Sequence, residues 1–160
     1  MNLSKVSTIL FGIILGFSVT ASAQTIPETG SLGIRANITG QNSVEIPYML
    51  NESLSLAPYL RFTTTEDQST SIGIGIRPRY YTGSSNALST YFAGTLGFNN
   101  TSFSNNNNSV TDFMLGVGYG AEYFFSDSFS VSADANLNSR FGDSATNLST
   151  LARVSASFYF

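Results

Sequence analysis

The chain has 160 residues, a formal net charge of −3, no histidine and no cysteine. This length predicts one domain, and the acidic balance argues against a nucleic acid partner, because phosphate binding needs an excess of Lys and Arg. Without cysteine there are no disulfides or thiolate metal sites, and without histidine neither a Ser-His-acid triad nor the commonest metal ligand is available. We therefore expect no catalytic residues, no metal site and no cofactor.

The first 23 residues have the pattern of a cleaved signal peptide. Lys5 supplies the positive charge, the run from Val6 to Val19 is mostly apolar, and 21–23 has the small residues of a cleavage site. The alternative is a membrane anchor, but the apolar run has about 14 residues where a spanning helix needs about 18. The sequence predicts a mature chain that begins at Gln24, with a short leader over residues 24–30.

After residue 30, apolar side chains alternate repeatedly with more polar ones, and this period of two predicts eight β-strands. Successive side chains of a strand point to opposite faces, so each strand has one apolar face and one more polar face. In chain order, the eight apolar faces begin at Leu32, Val44, Leu54, Ile72, Leu88, Phe113, Phe129 and Thr150. The fifth strand carries Thr90 and Gly94 on its apolar face, which leaves its register open by one residue.

The predicted connections alternate between short turns and longer loops. The short turns fall at 51–53, 82–87 and 126–128, and the longer loops at 63–70, 99–109 and 138–147, with an unusually short one at 39–42. This asymmetry is typical of membrane barrels with an even number of strands and both chain ends on the side of the short turns. Pro47, Pro58 and Pro78 fall within strands, so we expect bulges or strand rims at these positions.

Every mid-strand charge lies on the parity opposite to the apolar face. These residues are Arg35, Glu45, Arg61, Arg77, Arg79, Asp112, Glu122, Asp134 and Arg153. An arginine that faces mid-membrane hydrocarbon costs roughly 2–4 kcal/mol, so the pattern predicts apolar faces toward lipid and an ion network in the lumen. Symmetric hairpins would place Arg35 opposite Glu45 and Asp134 opposite Arg153. The solvated face of a soluble β-sandwich accounts for this parity equally well.

Aromatic residues on the apolar faces favour the membrane barrel over the sandwich. They cluster near the predicted strand ends, with Tyr48, Tyr80, Tyr123, Phe129, Phe158 and Phe160 on the turn side and Phe62, Phe98 and Phe113 on the loop side. Two aromatic girdles around an aliphatic band are typical of transmembrane barrels. We therefore predict an all-β fold, an eight-stranded antiparallel up-and-down transmembrane β-barrel over residues 31–160, with a lumen filled by side chains.

Two segments carry a family resemblance. Residues 118–131 resemble the recurrent strand–turn–strand motif of small outer-membrane β-barrels of the OmpA transmembrane-domain and OmpX type. Residues 153–160 resemble the C-terminal signal read by the outer-membrane assembly machinery, with Ser155 where glycine is usual. The core of this assembly signal is formed by Phe158, Tyr159 and Phe160. The resemblance implies location in the cell outer membrane, contact with its lipid and with the assembly machinery, and a monomer.

The sequence leaves three functions open. The first is a non-enzymatic barrel with a plugged lumen, which serves envelope structure or binds an extracellular partner through its loops. The second is a narrow porin-like channel or a lateral carrier for small molecules, and the third is a secreted soluble β-sandwich or lipocalin-like binder. Glu122 with Arg77 and Arg79 also fits an acid site, but structural ion pairing is the favoured interpretation because charged networks in narrow barrels usually serve packing.

Overall fold

The computed structural model describes residues 26–39, 42–85, 87–104 and 108–160. The predicted signal peptide over residues 1–23 lies outside this part of the chain. The described strands, in chain order, are β1 Gly33–Asn37, β2 Val44–Glu45, β3 Tyr48–Asn51, β4 Leu54–Thr65, β5 Ser69–Ser85, β6 Leu88–Phe103, β7 Ser109–Ser126, β8 Phe129–Gly142 and β9 Asn147–Tyr159. Within the described ranges, no helix is long and apolar enough to span a membrane.

The strands form one antiparallel sheet that closes on itself. Consecutive strands from β3 to β9 pair as neighbours, β9 pairs with β1, and β2 pairs with both β1 and β4. β2 and β3 both pair with β4 and together occupy the place of one strand. The barrel therefore has eight strands around its circumference. The predicted fold, an eight-stranded antiparallel barrel, is confirmed.

The predicted second strand is divided between β2 and β3 because of Pro47. Proline has no backbone N–H and cannot continue a ladder on both sides. The strand is interrupted at residues 46–47. The carbonyl of Pro47 nevertheless accepts a bond from Gly33 N at 2.8 Å, and Ile46 N donates to Pro58 O at 2.9 Å. These bonds keep the wall closed across the break.

The other two prolines lie within long strands and not at rims, which corrects the sequence expectation. Pro58 and Pro78 belong to the β4–β5 ladder, whereas the β5–β6 ladder has no pairs at residues 77 and 78. Gly94 accommodates the ring of Pro78, since a Cβ added at Gly94 would lie 3.0 Å from the proline Cγ. This contact explains a glycine on the outer face of β6, and the predicted register of that strand is correct.

The strands extend further than the alternation predicts. β5 continues to Ser85, so most of the predicted turn at 82–87 is strand, and the predicted loops at 63–70, 99–109 and 138–147 are largely absorbed into ladders. Apolar and polar residues alternate only where one face of a strand meets hydrocarbon. Beyond that part both faces meet water, so a strand can continue without an apolar face. We call the end with the connections at 52–53 and 127–128 the turn end, and the end with those at 66–68 and 143–146 the loop end.

Large apolar side chains cover the outer wall. Val117 is 64% exposed and Leu115 53% exposed, while the inward-facing Met114 and Gly116 beside them are buried. Aromatic clusters lie toward both ends of this wall. Near the loop end the ring of Phe113 lies 4.5 Å from that of Phe98 and 5.9 Å from that of Phe141. Near the turn end the successive contacts join Tyr123, Phe125, Phe129 and Phe158.

Candidate functional site

The interior of the barrel is lined by charged and polar side chains. Eight of the nine charges that the parity rule assigns to the lumen are buried: Arg35, Glu45, Arg77, Arg79, Asp112, Glu122, Asp134 and Arg153. Arg61 is half-buried nearer the loop end. The alternation of each strand therefore brings ionic groups from most of the wall into one narrow space.

Two glutamates each bind two arginines from other strands. Glu45 pairs with Arg35 at 3.2 Å and also binds Arg77. Glu122 lies 2.9 Å from Arg79 and 3.9 Å from Arg35. Arg35 thereby joins the two glutamates into one cluster.

Asp134 extends this cluster onto β8, the strand next to the one that carries Glu122. Its carboxylate lies 2.9 Å from Arg153, directly across the β8–β9 ladder, and 3.5 Å from Arg79. Arg35 and Glu45 are likewise opposite each other, in the β1–β2 ladder. The structure therefore contains both cross-strand pairs expected from symmetric hairpins. These pairs connect seven residues, which we call the ion network: Arg35, Glu45, Arg77, Arg79, Glu122, Asp134 and Arg153.

Tyrosine hydroxyls complete the hydrogen bonding of the carboxylates. Tyr81 and Tyr159 donate to Glu122 at 2.8 and 3.1 Å, and Tyr91 donates to Asp134 at 2.9 Å. The guanidinium of Arg79 also stacks on the Tyr91 ring, with its Cζ 4.2 Å from the ring centroid. A buried ion pair is tolerable only when its remaining donors and acceptors are satisfied, and these phenols supply that need.

The sequence pattern does not predict that Tyr81 and Tyr159 take part in this hydrogen bonding. No role is predicted for Tyr81, although its odd number gives it the same inward parity as Arg77 and Arg79 on β5. Tyr159 is predicted only as part of the assembly signal, yet its side chain is buried in the lumen, where its hydroxyl accepts a hydrogen bond from Arg35 at 3.0 Å. Phe158 and Phe160, the other two residues of that signal, are exposed on the outer wall.

Asp112 and Arg61 lie outside the ion network, which corrects the prediction of one nine-residue cluster. Asp112 accepts a bond from the backbone N–H of Ser144 at 2.9 Å, and Arg61 donates to Asn99 at 2.6 Å. Neither forms an ion pair within the described part of the chain. Both lie toward the loop end, where a backbone N–H and a side-chain amide supply the partners that oppositely charged groups supply deeper in the lumen.

The leader closes the turn end of the lumen. Ile26 packs against a buried cluster that includes Met49, Tyr81 and Tyr91. Backbone bonds hold the segment in place, with Gly30 N donating to Met49 O at 2.8 Å and Met49 N donating to Ser31 O at 2.9 Å. The lumen thus has an apolar seal at the turn end, the ion network in the middle and a polar half toward the loop end.

Oppositely charged side chains from different strands pair within the lumen. A closed ring of strands with an apolar outer wall defines a small membrane β-barrel. A family model for the outer membrane protein beta-barrel domain matches residues 9–160. The chain belongs to this family, and its location is the cell outer membrane. The third function left open by the sequence, a secreted soluble binder, is therefore wrong.

Solved structures show the same fold. The N-terminal beta-barrel domain of Pseudomonas aeruginosa OprF is 20% identical with a TM-score of 0.63, and the match covers 82% of this chain and 98% of that domain. Neisserial surface protein A is 17% identical with a TM-score of 0.54, covering 81% of this chain and 90% of that protein. A comparison with curated protein sequences found no significant match.

Proposed function

We propose that this protein is a non-enzymatic outer-membrane barrel with a plugged lumen, which serves envelope structure or surface interaction through its loop end. The observation that carries the proposal is the ion network. Its central members, Arg35, Arg79 and Glu122, are fully buried and join β1, β5 and β7 across the lumen. Fixed pairs of this kind oppose a continuous water column through the barrel.

The proposed orientation places the loop end outside the cell and the turn end in the periplasm. Short periplasmic turns and longer external connections are the usual arrangement of such barrels. An extracellular partner would then meet the polar connections at 66–68 and 143–146. The absence of histidine from the sequence supports a non-enzymatic role, since the hydrolytic chemistry of related barrels depends on it.

Single-channel recording in planar bilayers tests the plugged lumen. The purified barrel, with folding verified by its heat-modifiable gel shift, should insert without large steady currents. A matched variant, Glu122→Ala with Arg79→Ala, removes two central side chains and should raise conductance if these groups obstruct the path. Large steady currents from the unmodified protein would contradict the plug.

The second candidate is a narrow porin-like channel. It is favoured by the polar lining of the loop-end half, where Asn99, Asn136 and Asn138 point inward. In that case small ions would give brief, low-conductance events in the same recordings, and these events would change with Asn138→Leu. Because the described lumen is polar, it offers no apolar path of the kind a lateral carrier requires.

A further inference from the structure

The last four residues of β5, at the turn end, pair with a neighbouring strand on one side only. The β4–β5 ladder stops at Tyr80, whereas the β5–β6 ladder continues to Ser85. The last backbone bond toward β4 joins Tyr81 N to Ser53 O at 2.7 Å. Residues 82–85 therefore extend about 13 Å past this bond, at about 3.3 Å per residue. In the described part of the chain no backbone group bonds their second side, which we call the open edge.

The open edge has no residue of the kinds that usually keep another chain from pairing with a strand. Such edges are commonly blocked by proline, lysine or other charged side chains. The four residues here are Thr82, Gly83, Ser84 and Ser85, which are exposed and uncharged. A shift in register between Tyr81 and Gly83 lies on the side paired with β6. Because the free backbone groups follow one another along a strand, an extended chain is the partner that satisfies them in series.

A cavity of about 580 Å³ lies beside the open edge. Its lining comes from three places in the chain: residues 26–29 of the leader, Glu52 of the β3–β4 connection and Ser84 of β5. The volume falls within the roughly 300–1,000 Å³ of ordinary ligand sites. A chain that paired with the open edge would therefore have room between β5 and the leader.

The charge of this cavity indicates which kind of chain it accepts. Glu28 and Glu52 belong to its lining, and no Lys or Arg stands among the lining residues of the described structure. A second copy of this protein would bring the same two carboxylates against each other, and like charges oppose association. A polypeptide with Lys or Arg on alternate residues would instead attract both glutamates while its backbone bonds the open edge.

We propose that the turn end is a docking site for an extended, basic segment of a periplasmic polypeptide, which adds as a strand to the open edge with its Lys or Arg side chains beside Glu28 and Glu52. The site lies at the opposite end of the barrel from the loops of the proposed function. The inference rests on the proposed orientation for the compartment of the partner, but not for the binding itself.

Binding of synthetic peptides to the unmodified barrel in a neutral detergent tests both parts of the site. The probe is a fluorescent hexapeptide that alternates lysine and valine. One control peptide has glutamate for lysine, and the other has a methyl group on every backbone amide nitrogen. By fluorescence anisotropy, the lysine peptide should bind about tenfold more tightly than either control, a difference of about 1.4 kcal/mol, because one control lacks the positive charges and the other the strand hydrogen bonds.

Two results of this titration would overturn the proposal. They are the absence of saturable binding by the lysine peptide, and equal binding of the methylated peptide, which would reduce the effect to charge attraction. Neither result would affect the plugged lumen, since the measurement involves neither conductance nor the loop end.

Matched variants locate the bound peptide. Glu28→Gln and Glu52→Gln should each weaken its binding by about threefold, the usual size of an exposed ion pair. Asp127→Asn makes the same charge change in the other turn-end connection, where the side chain is exposed, and should leave binding unchanged. An equal loss in all three variants would mean a general effect of net charge and would contradict the site.

A thiol at the open edge provides a test of position. The chain has no cysteine, so Ser84→Cys introduces a single thiol, and a lysine peptide whose central residue is a cysteine activated as a mixed disulfide can exchange with it. Exchange should be about tenfold faster than in Ser128→Cys, an exposed control at the same end of the barrel, because the bound peptide has a raised local concentration at the open edge. Equal rates at the two thiols would place the peptide elsewhere and overturn the proposal.

Discussion

The ring of Tyr59 occupies the space that a side chain on Gly97 would need. A Cβ added at Gly97 would lie 3.0 Å from the tyrosine Cζ and closer still to its hydroxyl, and only 2.8 Å from the carbonyl of Ile74. Tyr59 on β4 therefore reaches across β5 to lie on β6. Gly75 and Gly97, on the two strands that Tyr59 crosses, leave the room that its ring occupies.

The first prediction follows from this contact. Gly97→Ala should lower the free energy of unfolding by about 1–3 kcal/mol, the usual cost of overpacking a filled interior, because both the ring and a backbone carbonyl oppose the new methyl group. Urea unfolding of the refolded barrel in lipid vesicles would measure it. Gly83→Ala is the control, since its Cβ would make only an ordinary contact, 3.4 Å from Thr90 Oγ1. Equal losses in the two variants would contradict the packing argument.

The sequence predicts the wall of this barrel better than its lumen. Parity alone assigns Arg35 and Glu45 to the interior and Val117 to lipid, because hydrocarbon excludes charge from one face of every strand. Parity does not determine which charges meet, since that depends on strand tilt and side-chain reach. Arg79 binds two carboxylates from β7 and β8, neither of which is its ladder neighbour. The role of the leader was also beyond pattern analysis, because the contact of Ile26 is not part of any ladder.

A second prediction concerns the centre of the ion network. Glu122→Gln should destabilise the barrel by about 3–5 kcal/mol, the cost of breaking a buried pair from one side, because Arg35 and Arg79 would both lose a carboxylate. Unfolding in urea would again provide the measurement.

The matched control for that change is Glu52→Gln, at an exposed position in the connection after β3. Its effect should stay within about 0.5 kcal/mol, as for most surface substitutions. If Glu122→Gln were equally mild, the network would contribute little to stability and its proposed role as a structural plug would weaken.

A third prediction tests which side chains face the lipid, by comparing two positions at different depths in the membrane. Val117 lies on β7 between the aromatic residues Phe113 and Tyr123, whereas Leu148 lies near the start of β9 at the loop end. Both side chains are strongly exposed, at 64% and 67%. Val117→Arg should cost roughly 2–4 kcal/mol and Leu148→Arg no more than about 1, because the penalty falls from the membrane midplane to the interface.

Folding yield into lipid vesicles, followed by the gel shift, would report this difference. The two arginine variants carry the same charge change, so a general effect of charge on refolding would lower both yields alike. Such equal losses would mean that Val117 does not face the hydrocarbon core.

The last prediction tests the seal at the turn end. Because the chain has no native cysteine, a single engineered thiol reports access to the lumen. Ser55 is buried and pairs with Met49, a member of the cluster that Ile26 covers. In Ser55→Cys, a charged thiosulfonate reagent should react slowly, and adding Ile26→Asp should raise the rate by about tenfold or more, equivalent to a loss of about 1.4 kcal/mol of sealing free energy.

Thr101→Cys, half-buried toward the loop end, should react at the same rate with and without Ile26→Asp. A Ser55→Cys thiol that is already reactive behind an intact Ile26 would show that the leader does not exclude water, and a rise in both thiols would indicate general loosening of the barrel instead of a local seal.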